Sequence, residues 1–140
     1  MDTIRTETII QAPAKAVWQA LINFAEWSKW NPAISQLIGE PKMGKKVALY
    51  LGKKRTSHPK IIELIEDKHL KWRGRGGPMG LLRIEHTFLI EPLDESSTRF
   101  TQIETFSGWL TPIIFDQIED RVKNGFEIMD GAFKRRCEGL

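Results

Sequence analysis

Residues 111–138 read TPIIFDQIEDRVKNGFEIMDGAFKRRCE, and the reading of this stretch decides the fold. Pro112 opens it, at a position where a missing backbone N–H costs a helix nothing. Phe115, Ile118, Val122, Phe126, Met129 and Phe133 then recur at steps of three and four, which places them on one helical face. Asp116, Glu119, Asp120, Lys123, Glu127, Asp130 and Lys134 are assigned to the opposite face. The predicted helix is about 40 Å long at ~1.5 Å per residue. An apolar stripe of that length needs a large apolar partner, and the preceding sequence offers a sheet.

Upstream, the chain alternates as strands do. Thr3–Gln11 is rich in Thr and Ile and reads as a first strand. Pro13 ends it and opens a helix with Ala14, Val17, Trp18 and Leu21 on one face. Ala12 is a poor N-cap, so tertiary contacts must hold that helix start. Phe24–Trp30 reads as a second short helix, closed by Asn31-Pro32 because a residue before Pro is driven out of the helical region. Six strand-like runs follow: 34–38, 45–51, 56–65, 69–73, 81–92 and 98–106. Residues 52–55 are read as a turn and 74–80 as a loop. Short connections between successive strands indicate an antiparallel meander.

The expected architecture is therefore α+β: a seven-stranded antiparallel sheet, two short helices after its first strand, and a long C-terminal helix. Strands lie ~4.8 Å apart and a helix is ~10 Å wide, so one helix cannot cover a flat sheet of seven strands. The sheet must curve around it, and the open side of such a curve leaves an apolar space suited to a small molecule.

Bulk properties narrow the function classes. At 140 residues, with 41% hydrophobic and 28% charged residues, the chain reads as one globular domain spanning 1–140. A net charge of +3 is too small to indicate nucleic acid. Residues 41–60 nevertheless carry Lys42, Lys45, Lys46, Lys53, Lys54, Arg55 and Lys60 without an acid. That run reads as a hairpin protected from edge pairing by its lysines, or as a patch facing an anionic membrane or an acidic protein partner. The single cysteine, Cys137, permits no internal disulfide and fits a reducing compartment. No run is long enough to span a bilayer and the first residues do not resemble a signal peptide, so a cytoplasmic monomer or homodimer is expected. No His, Cys, Asp or Glu spacing suits a metal, and no cofactor motif is present. The glycines of 74–80 lack the Lys-Ser/Thr of a phosphate loop and read better as a mobile lid.

Two polar residues stand out on otherwise apolar faces. His86 shares its strand face with Leu82, Ile84, Phe88 and Ile90, and Glu104 shares its face with Phe100, Gln102 and Phe106. If the 81–106 hairpin pairs residues whose numbers sum to about 190, His86 faces Glu104. The pair reads either as an acid/base couple or as a buried His satisfied by a carboxylate that orients a ligand or fixes the sheet. The remaining candidate wall comprises Leu49, Trp72, Phe115, Ile118, Val122 and Phe126. Trp27 and Trp30 are placed at its mouth, and Trp109 at an entrance.

Several stretches resemble the START-like, or SRPBCC, superfamily, which includes the polyketide cyclase/dehydrase group and the birch-pollen-allergen-like proteins. The first is Ala12-Pro13-Ala14 with Val17-Trp18 and Leu21, then Trp27-Ser28-Lys29-Trp30-Asn31-Pro32. The second is Glu85-His86-Thr87-Phe88 and Glu91-Pro92-Leu93 with Thr98-Arg99-Phe100, Glu104 and Phe106-Ser107-Gly108. Gly125-Phe126 in the last helix completes the match, which covers nearly the whole chain. The resemblance implies a helix-grip fold with a hydrophobic cavity and no superfamily-wide catalytic motif. It is compatible with three functions: a carrier of a small hydrophobic or amphipathic ligand, a cyclase/dehydratase using His86 and Glu104, or a protein- or chaperone-binding module.

Overall fold

Pro59 divides what the sequence presents as one strand. In the computed structural model, which describes residues 2–76 and 78–140, strand β4 (Lys54–Ser57) ends before it and β5 (Lys60–Ile65) begins after it. Proline has no N–H to give to a ladder, so the run 56–65 cannot remain one strand. The expectation of a single seven-stranded sheet is corrected accordingly. Among the described residues there are eight strands in two antiparallel sheets.

The larger sheet has the order β1-β8-β7-β6-β5, with β1 at Asp2–Ile10, β6 at His69–Gly76, β7 at Leu82–Pro92 and β8 at Thr98–Ser107. The smaller has the order β2-β3-β4, with β2 at Gln36–Ile38 and β3 at Ala48–Leu51. Backbone bonds join them around the break: Val47 N–H donates to the Pro59 carbonyl and Ile61 N–H to the Lys45 carbonyl, both at 2.9 Å. The turn before β4 is shorter than expected, only Gly52-Lys53, with Gly52 at a φ of 64°.

Helix α1 (Ala14–Ile22) has no side-chain cap at its N-terminus. Instead the buried Thr98 hydroxyl donates to the Ala12 carbonyl at 2.7 Å, anchoring the helix start to the far end of the hairpin. Val17, Trp18 and Leu21 are buried. The segment 24–30 is a 3-10 turn (Phe24–Glu26) running into α2 (Trp27–Trp30). Asn31 is extended at ψ 110°, as a residue before proline must be.

Helix α3 (Thr111–Cys137) runs across the five-stranded sheet. Its C-terminal half buries Met129, Asp130, Ala132 and Phe133. Met129 and Phe133 join a core with Trp18, Leu21, Trp27, Phe88 and Phe100. Its N-terminal half belongs to a second cluster built on Ile4, Leu82, Phe106 and Phe115. There Ile114, Ile118, Val122 and Phe126 are only half-buried. The last turn is fastened to β1: Lys134 Nζ donates to the Ile9 carbonyl at 2.6 Å, and Gln11 N–H to Glu138 Oε2 at 2.7 Å. Among the described residues, no helix is long and apolar enough to cross a membrane.

Candidate ligand site

The β7–β8 register places His86 directly opposite Glu104, giving the numerical sum of 190 read from the sequence. Alternation turns both side chains toward the helix side of the sheet, with Ile84, Phe88, Phe100 and Gln102. His86 is 8% exposed. Its Nδ1 lies 3.0 Å from Glu104 Oε2, and its Nε2 lies 2.9 Å from Gln102 Oε1. The ring stacks on Phe88 at 4.2 Å between centroids and meets Phe126 of α3 at 5.0 Å. Held at both nitrogens and covered on its faces, the imidazole has one orientation.

The network continues into the helix. Gln102 Nε2 donates to Asp130 Oδ1 at 2.6 Å, and Asp130 is 4% exposed. This corrects the assignment of Asp130 to the solvent face. It lies four residues after Phe126 and three before Phe133, so helical geometry places it on the apolar stripe regardless of its charge. Burial pushes its carboxyl above the ordinary range, against the opposing effects of the Gln102 and Thr6 side chains and the His86 ring. Glu104, His86, Gln102 and Asp130 thus form one line of polar atoms from the sheet to α3. Because Gln102 gives its N–H to Asp130, its carbonyl faces His86, and Nε2 of the imidazole must be the donor.

A cavity of about 160 Å³ opens beside the pair. Leu49, Pro59, Trp72 and Ile84 supply its apolar wall, and Ser57, His86 and Glu104 its polar atoms. It lies where the three-stranded sheet meets β6, and none of the residues lining it comes from α3, whereas the sequence reading places the cavity between the sheet and that helix. Gly74 also borders it; a Cβ there would meet Pro59 at 3.2 Å, so the two sheets close tightly at this residue.

The other named residues distribute as follows. Trp27 is wholly buried and its indole donates to the Leu21 carbonyl at 2.8 Å, so it is core and not a mouth residue. Phe88 is likewise core. Trp30 is half-buried against Phe133, at 4.9 Å. Phe106 and Phe115 pack on each other at 5.6 Å in the second cluster, which Ile84, Ile118, Val122 and Phe126 join as half-buried members. Trp109 is 74% exposed, in the connection between β8 and α3, and borders neither hollow described in this structure. The expected loop 74–80 is shorter than read: β6 continues to Gly76, and Pro78–Gly80 forms a short 3-10 turn, with Gly77 outside the described residues. Among the described residues, no group of three His, Cys, Asp or Glu side chains converges as metal ligands would.

Antiparallel sheets around a long C-terminal helix, with a polar pair under the sheet junction, make a START-like helix-grip protein. The chain belongs to the family described as polyketide cyclase / dehydrase and lipid transport, whose model matches residues 1–139. No curated protein matches it by sequence. Solved structures share the fold at low identity. A START superfamily protein from Mycobacterium smegmatis superposes with a TM-score of 0.79 at 16% identity, over 99% of this chain and 98% of that one. The di-domain ARO/CYC BexL from the BE-7585A biosynthetic pathway gives 0.82 at 14% identity, over 99% of this chain and 47% of its own. Norcoclaurine synthase from Thalictrum flavum, solved with dopamine and hydroxybenzaldehyde, gives 0.76 at 16% identity, over 99% and 87% of the two chains.

Proposed function

We propose that this protein binds a small hydrophobic or amphipathic molecule at the sheet junction, with a polar atom of the ligand set against His86 and Glu104. One observation carries the reading: an apolar hollow into which an oriented His and a carboxylate project. A volume of about 160 Å³ admits roughly one aromatic ring, since a dry cavity of ~150 Å³ takes up benzene. A longer ligand extends past Ile84 toward the half-buried stripe of Ile118, Val122 and Phe126, which belongs to the same apolar cluster.

The test is native mass spectrometry of the purified protein with extraction of any retained molecule. It is paired with titration of a neutral naphthylamine fluorophore. Leu49→Trp, on a half-buried strand position, fills the hollow and is expected to abolish both retention and probe uptake. Wild-type protein that retains nothing and takes up no probe sinks the proposal.

The alternative, a cyclase/dehydratase of the family's type, draws on the same pair. A general acid or base must reach the proton it moves, and His86 is engaged at both nitrogens, so in this reading the substrate displaces Glu104 or Gln102 from the ring. His86→Ala separates the readings. Retained ligand with lost turnover supports the enzyme; lost binding with no turnover to lose supports the carrier.

A further inference from the structure

The outer face of the larger sheet, turned away from α3, carries a second hollow of about 480 Å³ lined by Lys46, His58, Lys60, Arg73, Arg75 and Arg83. We infer that this hollow is a binding site for a phosphate group bearing at least two negative charges. The inference is independent of the ligand proposed for the inner cavity.

Strand register is the main argument. Lys46 faces Lys60 across the bridge that joins the sheets, Lys60 faces Arg73 across β5–β6, and Arg75 faces Arg83 across β6–β7. Like charges placed directly opposite one another destabilise a sheet. Three such pairs around one concavity form an array that an anion would relieve.

Local acids do not neutralise it. Glu85 sits on the same face and engages Arg73 at 2.8 Å and Lys71 at 3.1 Å. Burial pushes the Glu85 carboxyl up, but these two bonds outweigh it and hold it below the ordinary range, so it is already committed. Among the described residues, Lys46, Lys60, Arg75 and Arg83 make no ion pair.

The donor set suits phosphate. Guanidinium forks bind phosphate oxygens bidentately, and ammonium groups add point charge. The charges converge in a hollow of small-molecule size rather than along a stripe, as nucleic acid would require. The phosphate can belong to a soluble molecule or to a lipid headgroup. The second source has support at the end of the sheet. Met79 and Trp109, 93% and 74% exposed, lie in the two connections next to the Arg75–Arg83 pair, where Gly108 packs against the Leu81 backbone. Exposed apolar and aromatic side chains beside cations are what a membrane interface accommodates.

The experiment uses the intact chain at low ionic strength, with two probes. Inorganic pyrophosphate is titrated by calorimetry, and phosphatidylcholine vesicles with and without phosphatidic acid are tested by co-sedimentation. Saturable pyrophosphate binding, with Kd below about 1 mM and weakening as salt rises, supports a soluble phosphate ligand. Sedimentation only with the phosphatidic acid vesicles, without pyrophosphate binding, supports the headgroup. Arg83→Glu replaces one like-charge pair with an opposite-charge pair facing Arg75. It is expected to weaken binding at least tenfold while raising the melting temperature of the free protein. Arg75→Gln, which adds no new charge pair, is the control and should weaken binding with a smaller thermal shift. Absence of binding to either probe overturns the inference, as does binding that both variants leave unchanged.

Discussion

The two halves of α3 lie on the same sheet but meet it differently. From Met129 to Phe133 the inward side chains are buried and locked against Trp30 and Phe100. From Ile114 to Phe126 most of the stripe stays half-buried, although its residues are just as apolar. The difference teaches that hydrophobicity alone does not seat a helix. The C-terminal half gains an aromatic core beneath α1 and α2, whereas the N-terminal half has only β1, β7 and β8 under it. The tight half holds the fold, and the loose half flanks the site.

The largest expected effect comes from breaking the tight half. Phe133→Ala removes a wholly buried ring and should cost ~3–5 kcal/mol in chemical denaturation. Phe126→Ala, at a half-buried position, should cost only ~1–2 kcal/mol and increase uptake of the naphthylamine probe. Equal costs would remove the distinction between the halves.

Asp130 stands at the border between them. Asp130→Leu leaves the buried Gln102 amide without its acceptor and should cost ~1–3 kcal/mol. Asp130→Asn keeps an acceptor and removes the buried charge. Because the carboxyl is raised above its ordinary value of 3.8, the folded protein holds that proton more tightly than the unfolded chain. That contribution is full below the ordinary value and is lost as pH rises through the raised one. The stability of Asp130→Asn relative to wild type should therefore grow with pH, as denaturation curves at successive pH values will show. A difference independent of pH would mean that Asp130 is not buried as a titrating group.

The smallest effect sharpens the contrast without disturbing it. Burial, with the Glu138 charge adding to it, pushes the Cys137 thiol up to about 12. Alkylation by iodoacetamide at pH 8 should be slow in the native protein, faster in Phe133→Ala and unchanged in Phe126→Ala.

What could be read from the chain follows the same division. The helix and the β7–β8 register were legible because both rest on periodicity: steps of three and four around Phe126, and alternation across a short turn at Glu95. A sheet bent around one long helix followed from them, and the resemblance to the START-like superfamily gave that arrangement its helix-grip form. The split into two sheets was not legible, because Ile61, Ile62, Leu64 and Ile65 gave a strong strand signal that masked the single missing N–H at Pro59. His86 and Glu104 were found as polar residues on apolar faces. Asp130 obeys the same rule, since it too is a polar residue at a stripe position, but a carboxylate in a helix ordinarily signals the solvent face. Gln102 was placed on the right face, yet nothing in sequence marks an amide as the link between two ionisable groups.

That amide ties the hollow to the helix. As it stands, Gln102 accepts from the His86 imidazole and donates to the Asp130 carboxyl, so one side chain links the sheet to α3. Turned end for end, it would present its N–H to His86 and its oxygen to Asp130, and both neighbours would have to exchange donor for acceptor together. A ligand that drew His86 away from Gln102 would therefore be felt on the far side of the sheet–helix seam, at a residue it never touches.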